Sequence, residues 1–182
     1  MRTEQDLLRF VEGQPAMMDA LRQVEALELP DCWIGAGFIR NAVWDVLHGR
    51  PWQEPQSDID VVYFDAVATD PSLAGRYEAF LKKSRPALLW SVKNQATMHL
   101  QNGDAPYCDT ADALRFWPER CTAIAVRLFQ GRLDLLAPFG IDDLIALRVR
   151  PTPKFALRLP LYQRRLKAKN WGARWPRLSV ED

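Results

Sequence analysis

The sequence predicts an α+β (mixed α/β) fold in which helices flank a central mixed sheet, and three observations carry that expectation. Helical and strand-like periodicities alternate over the first hundred residues. A glycine-bearing turn joins a short strand to a helix with an apolar stripe, and a hairpin signal marks a second half that reads as strand-rich. With 182 residues, 48% hydrophobic and 26% charged, the chain has the size of one domain and the composition of an ordinary globular protein. We read 1–182 as a single unit, with N-terminal helices at 1–30, a sheet core at 31–147 and a basic tail at 148–182 packed on that core.

Residues 4–12 and 15–28 predict two short helices, because Leu7, Leu8 and Val11, then Met17, Leu21 and Val24, recur at helical spacing on either side of "GQP". "DCWIGAG" reads as a short strand entering a glycine turn. "FIRNAVWDVLHG" follows as a helix whose Phe38, Ile39, Ala42, Val43, Val46 and Leu47 form one stripe, with Gly49 positioned to end it. Beyond the polar loop "RPWQEPQ", "SDIDVVYFD" is strand-like. A helix over 72–84 is introduced by "TDPS", and "ALLWSVKN" reads as a third strand. "CTAIAVRLFQGRLDLLAPFG" predicts a hairpin turning at Gln130 and Gly131, and "GIDDLIAL" an acidic helix start. The closing "PKFALRLPLYQRRLKAKNW" is basic, partly helical and interrupted by Pro160.

Several functional classes drop out early. The first fifteen residues carry charges every few positions, so no signal-peptide core is present, and no apolar run reaches membrane-spanning length. The expectation is a cytoplasmic chain with no membrane partner. Cys32, Cys108 and Cys121 are odd in number and widely spaced, which argues for core thiols over disulfides or a zinc ribbon. Two histidines, His48 and His99, exclude a three-histidine metal site; His48 suits a helix end, and His99 a core or rim position or the strand-end site. Residues 148–182 hold ten Lys and Arg against two acids, which leaves 14 against 21 on the rest. Such a tail either contacts phosphates or nucleic acid, or docks as a solvated helix on an acidic body.

The anomaly lies in "SDIDVVYFD". Asp is depleted from strands, yet Asp58 and Asp60 open this one and, by strand alternation, share a face with Cα atoms about 7 Å apart. At an effective dielectric near 20 the two charges repel by about 2 kcal/mol, a cost that a bound cation converts into attraction. From the segment alone, a cation site and a pair of solvated strand-end acids stay equally open. Gly35 and Gly37 add a second signal, since glycines where a strand gives way to a helix let backbone amides approach phosphate.

This order of strand, glycine turn, helix and Asp-x-Asp strand resembles the nucleotidyltransferase superfamily of DNA polymerase beta and the CCA-adding enzymes. "GFIRN" at 37–41 is similar to the Gly-Gly-x-Val-Arg-Asp helix start of the latter, "LHGR" at 47–50 to the close of the same helix, and "DID" at 58–60 to the carboxylate pair. Ala36 stands where the first glycine would be, Asn41 replaces the Asp, and the segment from Gly37 to Asp58 is longer by about a helical turn plus loop. "LLWSVKNQATMHL", "PYCDTADALRFWPERCTAIAVRL" and "LDLLAPFGIDDLIALRVRPTP" extend the similarity, over nearly the whole chain, to a family of small bacterial nucleotidyltransferase-like proteins.

The resemblance implies a polymerase-beta-like fold and a third acid on a neighbouring strand. Asp134 in "RLDLL" is the candidate, ahead of Asp142, Asp143 and Glu119, because Leu133 and Leu135 would face the other way into a core. Asp58, Asp60 and Asp134 would then be the catalytic and metal-ligating residues, holding two Mg2+ ions or their Mn2+ equivalents. Gly35 and Gly37 would hold phosphates. Arg40 would reach phosphate or steady the strand, and Lys93 and Asn94, closing the third strand with Gln95, are further nucleotide-binding candidates. The implied reaction moves a nucleoside monophosphate from an NTP to an unidentified hydroxyl on RNA, protein or a metabolite. Two rivals keep the fold: an inactive nucleotide- or RNA-binding protein, and a regulatory protein of toxin-antitoxin type that uses the basic tail. Trp171 and Trp175, beside Lys and Arg, are either packing residues or base-stacking platforms.

Overall fold

The computed structural model describes residues 1–54 and 57–181; Pro55 and Gln56 of the expected polar loop, and Asp182, lie outside the described residues. The elements run α1 (Glu4–Glu12), α2 (Pro15–Glu25), β1 (Trp33–Gly35), α3 (Gly37–Leu47), β2 (Ile59–Tyr63), α4 (Ser72–Ser84), β3 (Trp90–Asn94), α5 (Gln95–Asn102) and α6 (Thr110–Arg115). The chain continues through β4 (Ala125–Phe129), β5 (Arg132–Leu136), α7 (Asp142–Ile145), β6 (Arg148–Val149), α8 (Pro153–Ala156), α9 (Leu159–Lys169), α10 (Trp171–Arg174) and β7 (Ser179–Val180).

Five strands form a mixed sheet in the order β3-β2-β1-β4-β5, in which only β2 and β3 run parallel. That parallel step follows from α4, which crosses over between them and packs on β3. Ile59, Val61 and Tyr63 send their side chains to the face covered by α1 to α4, where they join Leu7, Ile34 and Val126 in the main core. The other face buries Trp33, Val62, Leu114, Ala123 and Ala125 in a smaller cluster. Asp60 alternates onto this second face, as the period of two demands.

The hairpin turns where the sequence places it: Gln130 (φ 50°) and Gly131 (φ 75°) both adopt left-handed backbone, the twist-matched turn for a two-residue loop. Gly49 likewise takes φ 71° behind α3. Two expectations need correction. The second helix stops at Glu25 and not at residue 28, because Glu28 (φ 52°) turns the chain and Pro30 bars helical backbone at residue 29. The second half is not strand-rich outside the hairpin: "QATMHLQN" is α5 and α6 follows, while α8 and α9 fall in the tail read as partly helical. The signal for α5 was its cap, since the Asn94 side chain accepts the Ala96 amide and starts a helix directly from a strand end.

The basic tail packs inward through its aromatics. Trp171 and Trp175 meet Trp44 of α3 edge-on at 5.4 and 5.1 Å, and Tyr162 of α9 is fully buried. Among the described residues no helix is long and apolar enough to cross a membrane.

Candidate active site

A cavity of about 510 Å3 opens where β1 meets α3 and runs along one face of that helix. Gly37, Asn41 and Asp45, spaced by four, mark its length, so it extends about 12 Å from the helix N-terminus. Asp58 and Asp60 stand at the N-terminal end. Asp58 is exposed just before β2 and Asp60 is half-buried within it. Burial raises the Asp60 carboxyl above its ordinary range, and the neighbouring Asp58 raises it further, against the opposing pull of Lys93, Arg40 and Lys169. Two carboxylates that penalise each other's charge, open to solvent on one side, are hard-oxygen donors suited to Mg2+, which keeps waters and shares its shell with phosphate.

The glycine turn divides its work. A Cβ on Gly35 would come within 3.0 Å of the Trp117 ring and 3.2 Å of the Ile124 carbonyl, so this glycine is required for packing of β1. A Cβ on Gly37 would meet Asn41 Nδ2 at 3.2 Å and Arg40 Nη2 at 3.7 Å, filling the hollow at the helix start. Between them, Ala36 holds φ 52° and ψ −121°, a backbone that favours glycine. The turn thus keeps its glycine-type shape with an alanine in it, fixed by the Ala36 amide donating to Ile124 (2.9 Å). No side chain caps α3, which leaves its first amides directed at the cavity.

Arg40 lies at the cavity wall and is buried. Its guanidinium stacks on Trp171 (4.2 Å) and Trp44 (5.1 Å) and donates to Thr122 Oγ1 (2.7 Å) and Asn41 Oδ1 (2.9 Å), while Nε has no partner. No carboxylate among the described residues lies within ion-pair distance of it, and burial pushes its pKa down. Asn41 is decisive here: an Asp at that position would neutralise the guanidinium, whereas the amide leaves its charge uncompensated. Lys93, paired in register with Val62 and so on the Asp60 face, also lines the cavity.

Two candidates stand elsewhere. Asp134 has the right parity, because Asp60, Gly35, Ala125 and Leu136 are cross-strand neighbours and Asp134 lies two residues from Leu136. But β5 is three strands from β2, about 14 Å across the sheet. Its carboxylate is bound there by Arg127 Nε (3.1 Å) and Arg132 Nε (3.0 Å) and does not line the cavity. Asn94 uses its whole amide locally: Oδ1 accepts from Asp65 (3.0 Å) and Ala96 (3.1 Å), and Nδ2 donates to the carbonyls of Asp65 (2.7 Å) and Ala68 (3.2 Å). The weaker acid candidates are also engaged, Glu119 by Arg165 (2.6 Å) and Asp143 by Arg150 (2.7 Å). Among the described residues no three of His, Cys, Asp and Glu gather as a metal cluster.

At the far end of the cavity, beside the expected Trp171 and Trp175, Asp45 was not anticipated. Asp45, 4% exposed, accepts from Arg174 Nη2 (2.7 Å) and Trp175 Nε1 (2.8 Å), with Trp52 and Trp171 alongside. Its spacing of four from Asn41 and eight from Gly37 was the available clue. Arg165 and Lys169 of α9 reach the cavity from the tail, and no local pattern announces them.

A model of a nucleotidyltransferase family matches residues 22–180. Among solved structures, one described as an NMR structure revealing a CCA-adding enzyme head domain is 34% identical, with a TM-score of 0.89 over 100% of this chain and 97% of that one. The Thermotoga maritima CCA-adding enzyme complexed with tRNA (17% identity, TM-score 0.59) and a CCA-adding enzyme with CTP (16%, 0.60) match over 100% of this chain and only 43% and 44% of theirs. The chain therefore spans less than half the length of those two enzymes, which share its fold. No curated protein matches. On the family match and the full-length likeness to the head-domain structure, the chain belongs to the nucleotidyltransferase family.

Proposed function

We propose that the chain transfers a nucleoside monophosphate from an NTP to a hydroxyl acceptor, with Mg2+ held by Asp58 and Asp60. The observation that carries this reading is Arg40: a buried guanidinium without a carboxylate partner, facing the cavity that begins at the Asp pair. Leaving such a charge unpaired costs several kcal/mol unless an anion arrives. The first amides of α3, the hollow at Gly37 and the Lys169 ammonium converge on the same volume, so the β and γ phosphates belong there. Trp52, Trp171 and Trp175 line the end of the cavity toward Asp45, where the rest of the nucleotide would lie, so the buried tail tryptophans would serve packing and cavity wall together. Bound Mg2+ supplies charge neutralisation at the phosphates. Asp60, on a strand, would hold that ion, and Lys93 on the next strand would balance the charge. CTP and tRNA complexes among CCA-adding enzymes of the same fold support a nucleotide donor.

Thermal shift with each of the four NTPs, with MgCl2 or EDTA, on the wild type and Asp60→Asn tests the reading. At least one NTP should stabilise the wild type only when Mg2+ is present, and should fail with Asp60→Asn. Equal stabilisation of both proteins, or none by any NTP, refutes it.

A further inference from the structure

A second cavity, of about 330 Å3, adjoins the first. The two share Ala36, Asp60, Lys93, Thr122 and Arg165, so Asp60 stands at the junction between them. Transfer at phosphorus places the attacking and leaving oxygens roughly in line. If the pyrophosphate leaves from the larger cavity, with its glycine turn and unpaired guanidinium, the attacking hydroxyl must arrive from the side of Asp60 away from them, which is where the second cavity lies.

Its walls define a chemistry. Met98 of α5, Phe116 and Trp117 after α6, and Phe155 of α8 give it an apolar, partly aromatic wall with room for a flat ring, and Gln95 and Asn102 add neutral amides. Its cations are mostly neutralised: Lys154 is paired with Asp104 (2.6 Å) between the Phe116 and Phe155 rings, and Arg165 with Glu119. Lys93 has no ion-pair partner among the described residues, and Asp60 is the one acid of the described lining. With Asp60 committed to the metal and the Phe116 and Phe155 rings already facing Lys154, no carboxylate of the described lining is left to receive a cation.

Resting on the nucleotidyl-transfer reading, we infer that this second cavity is the acceptor site and takes a compact, neutral or anionic hydroxyl compound with a flat apolar body, not a polycation. The acceptor oxygen forms the new bond to Pα as the bond from Pα to the bridging oxygen breaks. Pyrophosphate leaves with that electron pair, and the hydroxyl proton passes to solvent.

The test uses Met98, one of four methionines, whose 13C-methyl signal is assigned with Met98→Leu. The full-length protein is titrated with three probes on one aromatic frame: 4-(hydroxymethyl)benzoate, benzyl alcohol and 4-(aminomethyl)benzyl alcohol. The anionic and neutral probes should shift the Met98 methyl saturably and leave that of fully buried Met17 in place. The cationic probe should bind at least tenfold more weakly, and Phe155→Ala should weaken the anionic probe about tenfold. No Met98 shift with any probe, a cationic probe equal to the others, or a shift produced only by an RNA oligonucleotide overturns the inference. NTP binding is read separately by thermal shift. Nucleotide binding without probe binding sinks this inference alone, and probe binding without nucleotide binding sinks the in-line argument together with the transfer reading.

Discussion

Asp60→Asn removes one of two carboxylates that repel each other, so its effect on the metal-free protein can be worked from the geometry. At about 7 Å and an effective dielectric near 20, the pair costs about 2 kcal/mol. Attraction from Lys93, Arg40 and Lys169, and solvent screening at exposed Asp58, reduce this to about 1 kcal/mol. For a chain of 182 residues that corresponds to a Tm rise of about 2–4 °C in EDTA at neutral pH. The pH dependence has a definite sign. Because the folded pKa of Asp60 lies above its unfolded value, the folded state binds the extra proton between the two. The wild type therefore loses stability as pH rises from the unfolded pKa through the raised one, and the variant does not. Saturating MgCl2 should reverse the ranking by stabilising the wild type alone. Differential scanning calorimetry in EDTA and in MgCl2, across the acid range, reads all of this. A variant less stable than the wild type in EDTA, or one stabilised by Mg2+ to the same extent, refutes the reasoning.

Ala36→Gly relieves a backbone strain of about 1–3 kcal/mol against an unfolded-state entropy cost of up to about 1, so chemical denaturation should show a gain of about 1 kcal/mol. Arg40→Met replaces a buried unpaired charge with a side chain of similar reach; it should keep or raise Tm while weakening Mg·NTP binding more than tenfold by isothermal titration calorimetry. Asp45→Ala strands the Trp175 indole N–H and frees Arg174, costing about 2–4 kcal/mol, and limited trypsin digestion should then cut at Arg174 and Arg177 far faster than in the wild type.

Much of this was legible in the chain, and the failures have specific causes. Alternation in "SDIDVVYFD" puts Asp60 on the face it occupies, and "FQGR" marks the hairpin, because those signals are local; Asp58 precedes β2 and meets Asp60 only as a neighbour on the cavity wall. Asp134 satisfied the same alternation and still lay in the wrong place. Parity says which face a residue occupies, but lateral position depends on strand order, and the order β3-β2-β1-β4-β5 puts β5 at the edge. Asn94 reads as a nucleotide-binding candidate from the sequence because its Asp65 and Ala68 partners come from a loop nearly thirty residues earlier. The helices missed in the second half, α5, α6 and α10, span at most eight residues each, too short for a stripe to repeat.

The charge asymmetry of the sequence acquires a different meaning once the partners are known. Of the ten cations in 148–182, Arg148 and Arg150 bind Asp143, Lys154 binds Asp104, Arg165 binds Glu119 and Arg174 binds Asp45. Each of those four acids has a side chain no more than 7% exposed. A carboxylate buried that deeply is tolerable only with its counter-charge in place. The tail is thus not a solvated helix resting on an acidic body, since without it four buried acids would each lose an ion-pair partner at once. Three of the clamping residues, Lys154, Arg165 and Arg174, also line the cavities beside Asp60. The contacts that hold the tail down are therefore the contacts that shape the site. Of the tail cations with no acid partner among the described residues, Lys169 is the one that lines the cavity and can meet an incoming phosphate.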